Sequence, residues 1–134
     1  MMTKDYGFNR ESDELDQSSI RGAASWMLKE NLIWTCRDGY KITVKKGFRH
    51  DLASIPATAR WLVSNDDFRV RRAAILHDFL YSIRGHLANK NLSRAKCDSL
   101  FYEALRFDGV SRLKSGLMYL GVRAGGWFAW DCQL

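Results

Sequence analysis

The sequence places four side chains capable of acid–base or metal chemistry within a short distance along the chain: His77, Asp78, Tyr81 and Asp98. His77 and Tyr81 are four positions apart, so in a helix their rings lie on one face, and Asp78 projects about 100° around the axis. A histidine can act as a general base near neutral pH, and a carboxylate bonded to its other ring nitrogen fixes the tautomer and orientation. We therefore predict that Asp98 orients His77. Asp78, turned away from that pair, is the candidate ligand for a hard cation.

Two other interpretations of these residues stay open. In the structural one, His77 is a buried histidine satisfied by one hydrogen bond, and the two aspartates form helix caps or ion pairs with neighbouring arginines, namely Arg71, Arg72 or Arg94. In the other, His50, the His77-Asp78 pair and Asp98 imitate the H…HD…D pattern of metal phosphohydrolases, in which the metal activates a water molecule. Ser54 is a weaker candidate nucleophile, because Ala53-Ser54-Ile55 lacks the glycines of a nucleophile elbow.

Three helices are predicted to position these groups. Apolar residues at spacings of three and four predict a well-buried helix around His77, which Gly85 ends. A serine cap and a glycine stop predict a second helix from Ser93 to about Phe107. A third helix is predicted from about Ser111, and Gly125-Gly126 weakens or bends it. The short connection from residue 85 to residue 92 predicts that the helices of His77 and Asp98 pack antiparallel.

The segment before the helices predicts a sheet. Runs of aromatic and β-branched residues flank Asp38-Gly39, which is a strong hairpin signal, and predict a three-stranded antiparallel sheet over residues 25–45. Residues 1–22 are polar and mixed in charge, which is typical of a flexible arm. The predicted fold class is α+β: a small N-terminal sheet followed by a bundle of three main helices, with residues 23–134 forming one globular domain.

Composition restricts the class of protein further. The three cysteines form no C-x-x-C pair, so neither a disulfide framework nor a zinc–cysteine site is predicted, and a reducing compartment is expected. Neither a signal peptide nor a transmembrane segment is predicted. The net charge of +6 favours anionic partners such as acidic phospholipid, and leaves nucleic acid open. Arg72 belongs to a basic cluster that would face an anion near the site, although plain solubility explains the same charges.

The motif Gly47-Phe48-x-x-Asp51-Leu52-Ala53-Ser54-Ile55-Pro56, followed by His77-Asp78-x-Leu80-Tyr81 and Asp98, resembles a family of small proteins of unknown function that is common in bacteriophages and prophages. The resemblance covers residues 26–126. It implies a phage origin, action in the host cytoplasm during infection or in the virion, and other phage proteins as partners. It also implies that Asp51, Ser54, His77, Asp78 and Asp98 matter together.

A remoter resemblance covers residues 71–126. The runs His77-Asp78-Phe79-x-Tyr81, Asp98-x-x-Phe101 and Tyr119-x-x-Val122-Arg123-x-Gly125 are similar to the catalytic helices of the bacterial and fungal branch of phospholipase A2. This resemblance implies a helix pair of that kind, a catalytic set of His77, Asp98 and Tyr81, and a calcium ion held by Asp78 and Asp51. Another divalent metal, or none, is the alternative.

Three hypotheses about function follow. The first is a phage accessory or virion-associated protein whose His–Asp site hydrolyses phospholipid esters with calcium. The second is a non-enzymatic phage structural or interaction protein in which the His–Asp cluster is architectural. The third is a metal-dependent phosphohydrolase of the H…HD…D type.

Overall fold

The computed structural model describes residues 6–9, 16–20, 23–28, 30–50, 68–126 and 130. The chain divides into two compact units, residues 1–51 and residues 52–134. All the described strands of the predicted sheet region lie in the first unit, and His77 and Asp98 lie in the second. The division into an arm and one domain stays a prediction.

Two antiparallel three-stranded sheets are present among the described residues of the first unit. One has the order β1-β4-β5 and the other β2-β3-β6; the strands are β1 (Gly7–Phe8), β2 (Asp16–Ile20), β3 (Ala23–Met27), β4 (Leu32–Thr35), β5 (Lys41–Val44) and β6 (Arg49–His50). The turn at Asp38-Gly39 joins β4 to β5, and Gly39 has a φ of 100°, which a side chain would strain. The predicted hairpin is therefore confirmed.

Alternation along β4 and β5 determines which face of this hairpin is buried. Leu32 and Trp34 on one strand, and Ile42 and Val44 on the other, are fully buried. The rings of Tyr6 and Phe8 pack edge-on against the Trp34 ring, at centroid distances of 6.4 and 4.8 Å. The period of two thus turns the apolar side chains of both strands to one face.

The sheets differ from the prediction in their membership. Strands β1 and β2 lie within residues 1–22, for which the sequence predicted no regular structure. The predicted first strand is present as β3, but it pairs with β2 and β6, and β1 supplies the third strand beside β4. Asn9 helps to place β1, since its side-chain oxygen accepts a hydrogen bond from the Ile33 amide at 2.8 Å. A two-residue strand fixed by one asparagine side chain leaves no periodic signal in the sequence.

Three long helices form the described part of the second unit: α1 (Phe68–Ser82), α2 (Arg94–Phe107) and α3 (Arg112–Gly125). The hydroxyls of Ser93 and Ser111 accept hydrogen bonds from the third amide of α2 and α3, as N-cap residues do. The α+β class, with a three-stranded antiparallel sheet followed by three helices, is therefore confirmed. None of the described helices is long and apolar enough to cross a bilayer.

Helices α1 and α2 pack antiparallel, as predicted. Arg72 near the start of α1 contacts Asp108 after the end of α2, whereas Tyr81 near the end of α1 contacts Asp98 near the start of α2. The hairpin of β7 (His86–Leu87) and β8 (Lys90–Asn91) connects the two helices. The core between the helices is apolar and includes Ile75, Leu76, Leu80, Leu100, Phe101, Ala104 and Leu105.

Helix α3 buries a narrower face than its sequence suggests. Its buried residues are Ser115, Met118 and Val122, whereas Leu113 and Leu120 are 74% and 62% exposed. The apolar side chains of this helix therefore divide between two opposite faces, with Met118 and Val122 on the buried one.

Gly85 is required where α1 turns into the hairpin, and substitution to alanine is expected to destabilise the second unit by at least about 2 kcal/mol. Its φ is +73°, and an added Cβ would lie 2.9 Å from the carbonyl carbon of Leu92 and even closer to its oxygen. That oxygen belongs to backbone and cannot swing away. Gly109→Ala is the matched control, because Gly109 has a φ of +94° with nothing within 4 Å of the added Cβ. Urea unfolding followed by helical circular dichroism should show a clearly larger loss for Gly85→Ala, and equal losses would contradict the steric argument.

Candidate functional site

The predicted partners His77 and Asp98 are in direct contact. The Nε2 atom of His77 lies 2.6 Å from Oδ1 of Asp98, and the Tyr81 hydroxyl donates to the same oxygen at 2.6 Å. All three residues are 0% exposed. The i, i+4 spacing on α1 thus presents both rings to one carboxylate on α2, and the two ring centroids are 4.2 Å apart.

Two arginines complete the surroundings of the carboxylate. Arg123 of α3 donates from Nη1 to Oδ2 of Asp98 at 2.9 Å, and Nη1 of Arg94 lies 3.7 Å from that oxygen. Arg94 also donates to the backbone carbonyls of Val122 and Arg123, at 3.1 Å each. Asp98 therefore joins side chains from all three long helices of the second unit.

These contacts set the ionisation of the buried groups. Burial alone would raise the pKa of Asp98, but hydrogen bonds from His77, Tyr81 and Arg123 outweigh it, so the pKa of the carboxyl lies below its usual range. Burial, together with the adjacent Asp98 charge, raises the pKa of the Tyr81 hydroxyl far above its ordinary value. The hydrogen bond to Asp98 raises the pKa of the Arg123 guanidinium. The site thus holds a carboxylate, a neutral phenol and charged guanidinium groups.

The charge of Asp98 decides the tautomer of His77. An ionised carboxylate only accepts hydrogen bonds, so the proton of the neutral imidazole lies on Nε2, and Nδ1 is the basic nitrogen of the ring. This is the arrangement in which a carboxylate orients a histidine as a general base. The Phe101 ring packs 4.7 Å from the imidazole, centroid to centroid, and restricts its rotation.

The Tyr81 hydroxyl is enclosed on a further side by Gly126. A methyl group at position 126 would lie 2.6 Å from that hydroxyl and 3.2 Å from Nη1 of Arg94. The ring of Trp130 meets the Tyr81 ring edge-on at 5.1 Å. The end of α3 therefore fits closely around this tyrosine.

The remaining predicted site residues do not contact the Asp98 carboxylate in the described contacts. Asp78 is 9% exposed and follows His77 on α1. Arg72 donates from Nε to Asp108 at 3.0 Å and forms a second contact from Nη2, so its described ion pair joins α1 to the end of α2. The backbone of His50 belongs to β6 in the first unit. Asp51 and Ser54 lie outside the described residues, and their roles stay predictions.

The metal hypotheses are not tested by this geometry. Within the described ranges, no group of three or more His, Cys, Asp or Glu side chains is placed to hold a metal ion. Both oxygens of Asp98 accept hydrogen bonds, and His77 faces Asp98 itself. In the H…HD…D scheme these two residues would hold one ion together, and this scheme stays a hypothesis.

Arg123 was missed by the sequence reasoning as a partner of Asp98. It stands 25 residues from Asp98 and on another helix, so no spacing rule connects the two. Arg94 carried a signal, since it precedes Asp98 by four positions on one helix, and the structural interpretation named it as an ion-pair partner.

Comparison with known proteins identifies the family. Residues 26–122 match the family described as protein of unknown function (DUF1353), and the chain belongs to this family. The prediction of membership in a family of unknown function is confirmed. Neither the curated proteins nor the solved structures gave a match. The resemblance to phospholipase A2 therefore rests on the sequence motifs, and a pairing of helices of that kind stays a prediction.

Proposed function

We propose that the chain is a hydrolase of phospholipid esters in which His77 is the general base and Asp98 orients it. The observation that carries this proposal is the 2.6 Å contact between Nε2 of His77 and Oδ1 of Asp98. It makes Nδ1 the nitrogen that would take a proton from an attacking water molecule. Tyr81 and Arg123 hold the carboxylate in place from two further directions.

Calcium and a phage setting form part of the same proposal. Asp78 is the described carboxylate next to His77 and would be one ligand of a divalent cation; Asp51 would be another. The phage origin, and action in the host cytoplasm or in the virion, rest on the resemblance of the sequence motifs alone. Other phage proteins would be its partners in that setting.

A second candidate function is supported by burial. His77, Tyr81 and Asp98 are fully buried, and the carboxylate receives hydrogen bonds from α1 and α3. A saturated buried network of this kind gives one unique packing of helices whether or not any chemistry takes place. In this case the protein is a structural or interaction protein with an architectural His–Asp joint.

Hydrolysis assays on the full chain test the proposal. We expect release of fatty acid from phosphatidylcholine and phosphatidylglycerol with calcium present, and a loss of at least about 100-fold in His77→Asn, because a general base contributes that much. His86→Asn is the matched control, since His86 is exposed in the β7–β8 hairpin. Each rate is divided by the concentration of folded protein, which is measured by circular dichroism.

Two results would contradict the proposed hydrolase. A folded wild-type chain that releases no fatty acid with calcium, zinc or manganese, and whose melting temperature no metal raises, would leave the architectural function standing. Activity retained by His77→Asn would remove this histidine from the chemistry.

A further inference from the structure

Helix α3 carries an apolar ridge on the side that faces away from the helical core. Leu113, Leu117 and Leu120 are 74%, 42% and 62% exposed, and their spacing of four and three positions puts them in one line along the helix. The buried residues Ser115, Met118 and Val122 lie on the opposite face. Leucines so exposed in a row are not scattered surface residues, and such a row marks an interaction surface.

The charged residues of α3 are all basic, and two of them flank this ridge. At about 100° per residue, Lys114 falls on one side of the leucine line and Arg112 on the other, whereas the guanidinium of Arg123 is bound to Asp98. A helix with an apolar face bordered by lysine and arginine is suited to lie in the plane of a bilayer, where the apolar face enters the acyl boundary and the cations reach anionic headgroups.

A second copy of the chain fits this surface less well. Pairing two such ridges would bring basic flanks together in either direction, without an acidic residue on α3 to compensate. Three leucines on a 14-residue helix also fall well short of the about 800 Å² per partner that a stable dimer buries. An anionic lipid surface attracts the basic flanks and needs no matching protein area. The net charge of +6 adds a general attraction.

We propose that the Leu113–Leu117–Leu120 ridge docks the protein peripherally on bilayers that contain anionic phospholipid. The inference deepens the proposed phospholipid hydrolase by naming its attachment surface, and it rests on that function only for its biological purpose. The ridge lies on the other side of α3 from the residues that pack inward, so the inference concerns attachment and not the entry of lipid to His77.

Co-sedimentation of the full chain with vesicles tests the inference. We expect binding to vesicles of equal parts phosphatidylcholine and phosphatidylserine, and much weaker binding to phosphatidylcholine alone. The double variant Leu113→Gln/Leu120→Gln should bind at least about tenfold more weakly, because two apolar side chains no longer enter the bilayer. Leu113→Met/Leu120→Met should bind like the wild type. All four substitutions are at exposed positions, and unchanged melting curves would verify that these variants are folded.

The electrostatic part has its own matched pair. Arg112→Gln/Lys114→Gln should weaken binding roughly tenfold or more, since two cations next to the ridge no longer attract anionic headgroups. Lys45→Gln/Lys46→Gln removes the same charge from exposed positions in the first unit and should have a much smaller effect.

The results separate attachment from catalysis. His77→Asn should bind vesicles like the wild type even if it hydrolyses no ester. The Leu113→Gln/Leu120→Gln variant should lose turnover on vesicles but should still hydrolyse a soluble short-chain ester. Equal vesicle binding by the wild type and the glutamine variant would overturn the inference. The inference would also be overturned if the wild type bound no vesicles and formed a dimer in analytical ultracentrifugation that the glutamine variant did not form. The ridge would then be the contact surface with a second copy of the chain.

Discussion

Asp98→Ala is expected to lower the free energy of unfolding of the second unit by about 3–5 kcal/mol, because it leaves buried donors without their acceptor. His77 and Tyr81 both lose the oxygen to which they bond at 2.6 Å, and both residues are buried. Arg123 loses its partner as well, but its side chain is 33% exposed and can be solvated. The measurement is urea unfolding at neutral pH, followed by helical circular dichroism.

Asp98→Asn separates shape from charge in the same experiment. The amide keeps one oxygen that can accept from His77 or Tyr81, so the expected loss is smaller, about 1–3 kcal/mol. Asp38→Asn is the control, because Asp38 is exposed in the β4–β5 turn and should change stability by less than about 0.5 kcal/mol. If Asp98→Ala cost no more than this control, the carboxylate would not be the joint of the three helices.

Acid is expected to remove the stability that the Asp98 charge contributes. The pKa of Asp98 is lowered in the folded chain, so the contribution is complete above the ordinary pKa of an aspartate and is lost as the pH falls through the lower, folded value. The part of the stability difference between the wild type and Asp98→Asn that comes from this charge should therefore be complete above about pH 5. Below about pH 4 it should shrink, by at most about 1.4 kcal/mol per pH unit for a single group.

A second comparison separates the carboxylate from its His77 partner. The same stability difference is measured between His77→Asn and His77→Asn/Asp98→Asn, so that neither variant contains the imidazole. Tyr81 and Arg123 still donate to the carboxylate in this background, so the difference should keep its sign and shrink over the same acidic range. A difference that grows toward low pH would mean that the folded chain disfavours the carboxylate.

The sequence predicted those features that depend on local chemistry. The serine caps of α2 and α3, the Asp38-Gly39 turn and the shared face of His77 and Tyr81 are each determined by a few neighbouring residues. The pairing of His77 with Asp98 was predicted from the chemistry of a histidine and a carboxylate, and the family resemblance implied it as well. Features that depend on packing between distant segments were not predicted: strand β1, the contact of Arg123 with Asp98, and the exposure of the α3 leucines. Periodicity finds an apolar helix face but does not tell which of two apolar faces the core will cover.

The Asp98 joint also bears on the order in which the second unit folds. Its donors His77, Tyr81 and Arg123 lie 21, 17 and 25 residues away along the chain, so loop closure is inexpensive and native contacts form quickly. A carboxylate, however, is best left in water until its donors have arrived, because burying it unpaired costs several kcal/mol. Removal of water from the Asp98 carboxylate should therefore be the last step in the folding of the second unit. In a compact intermediate with α3 out of place, Asp98 would stay hydrated, and the intermediate could still unfold. The cost of burying this one charge without its partners would therefore disfavour misassembled arrangements of the helices.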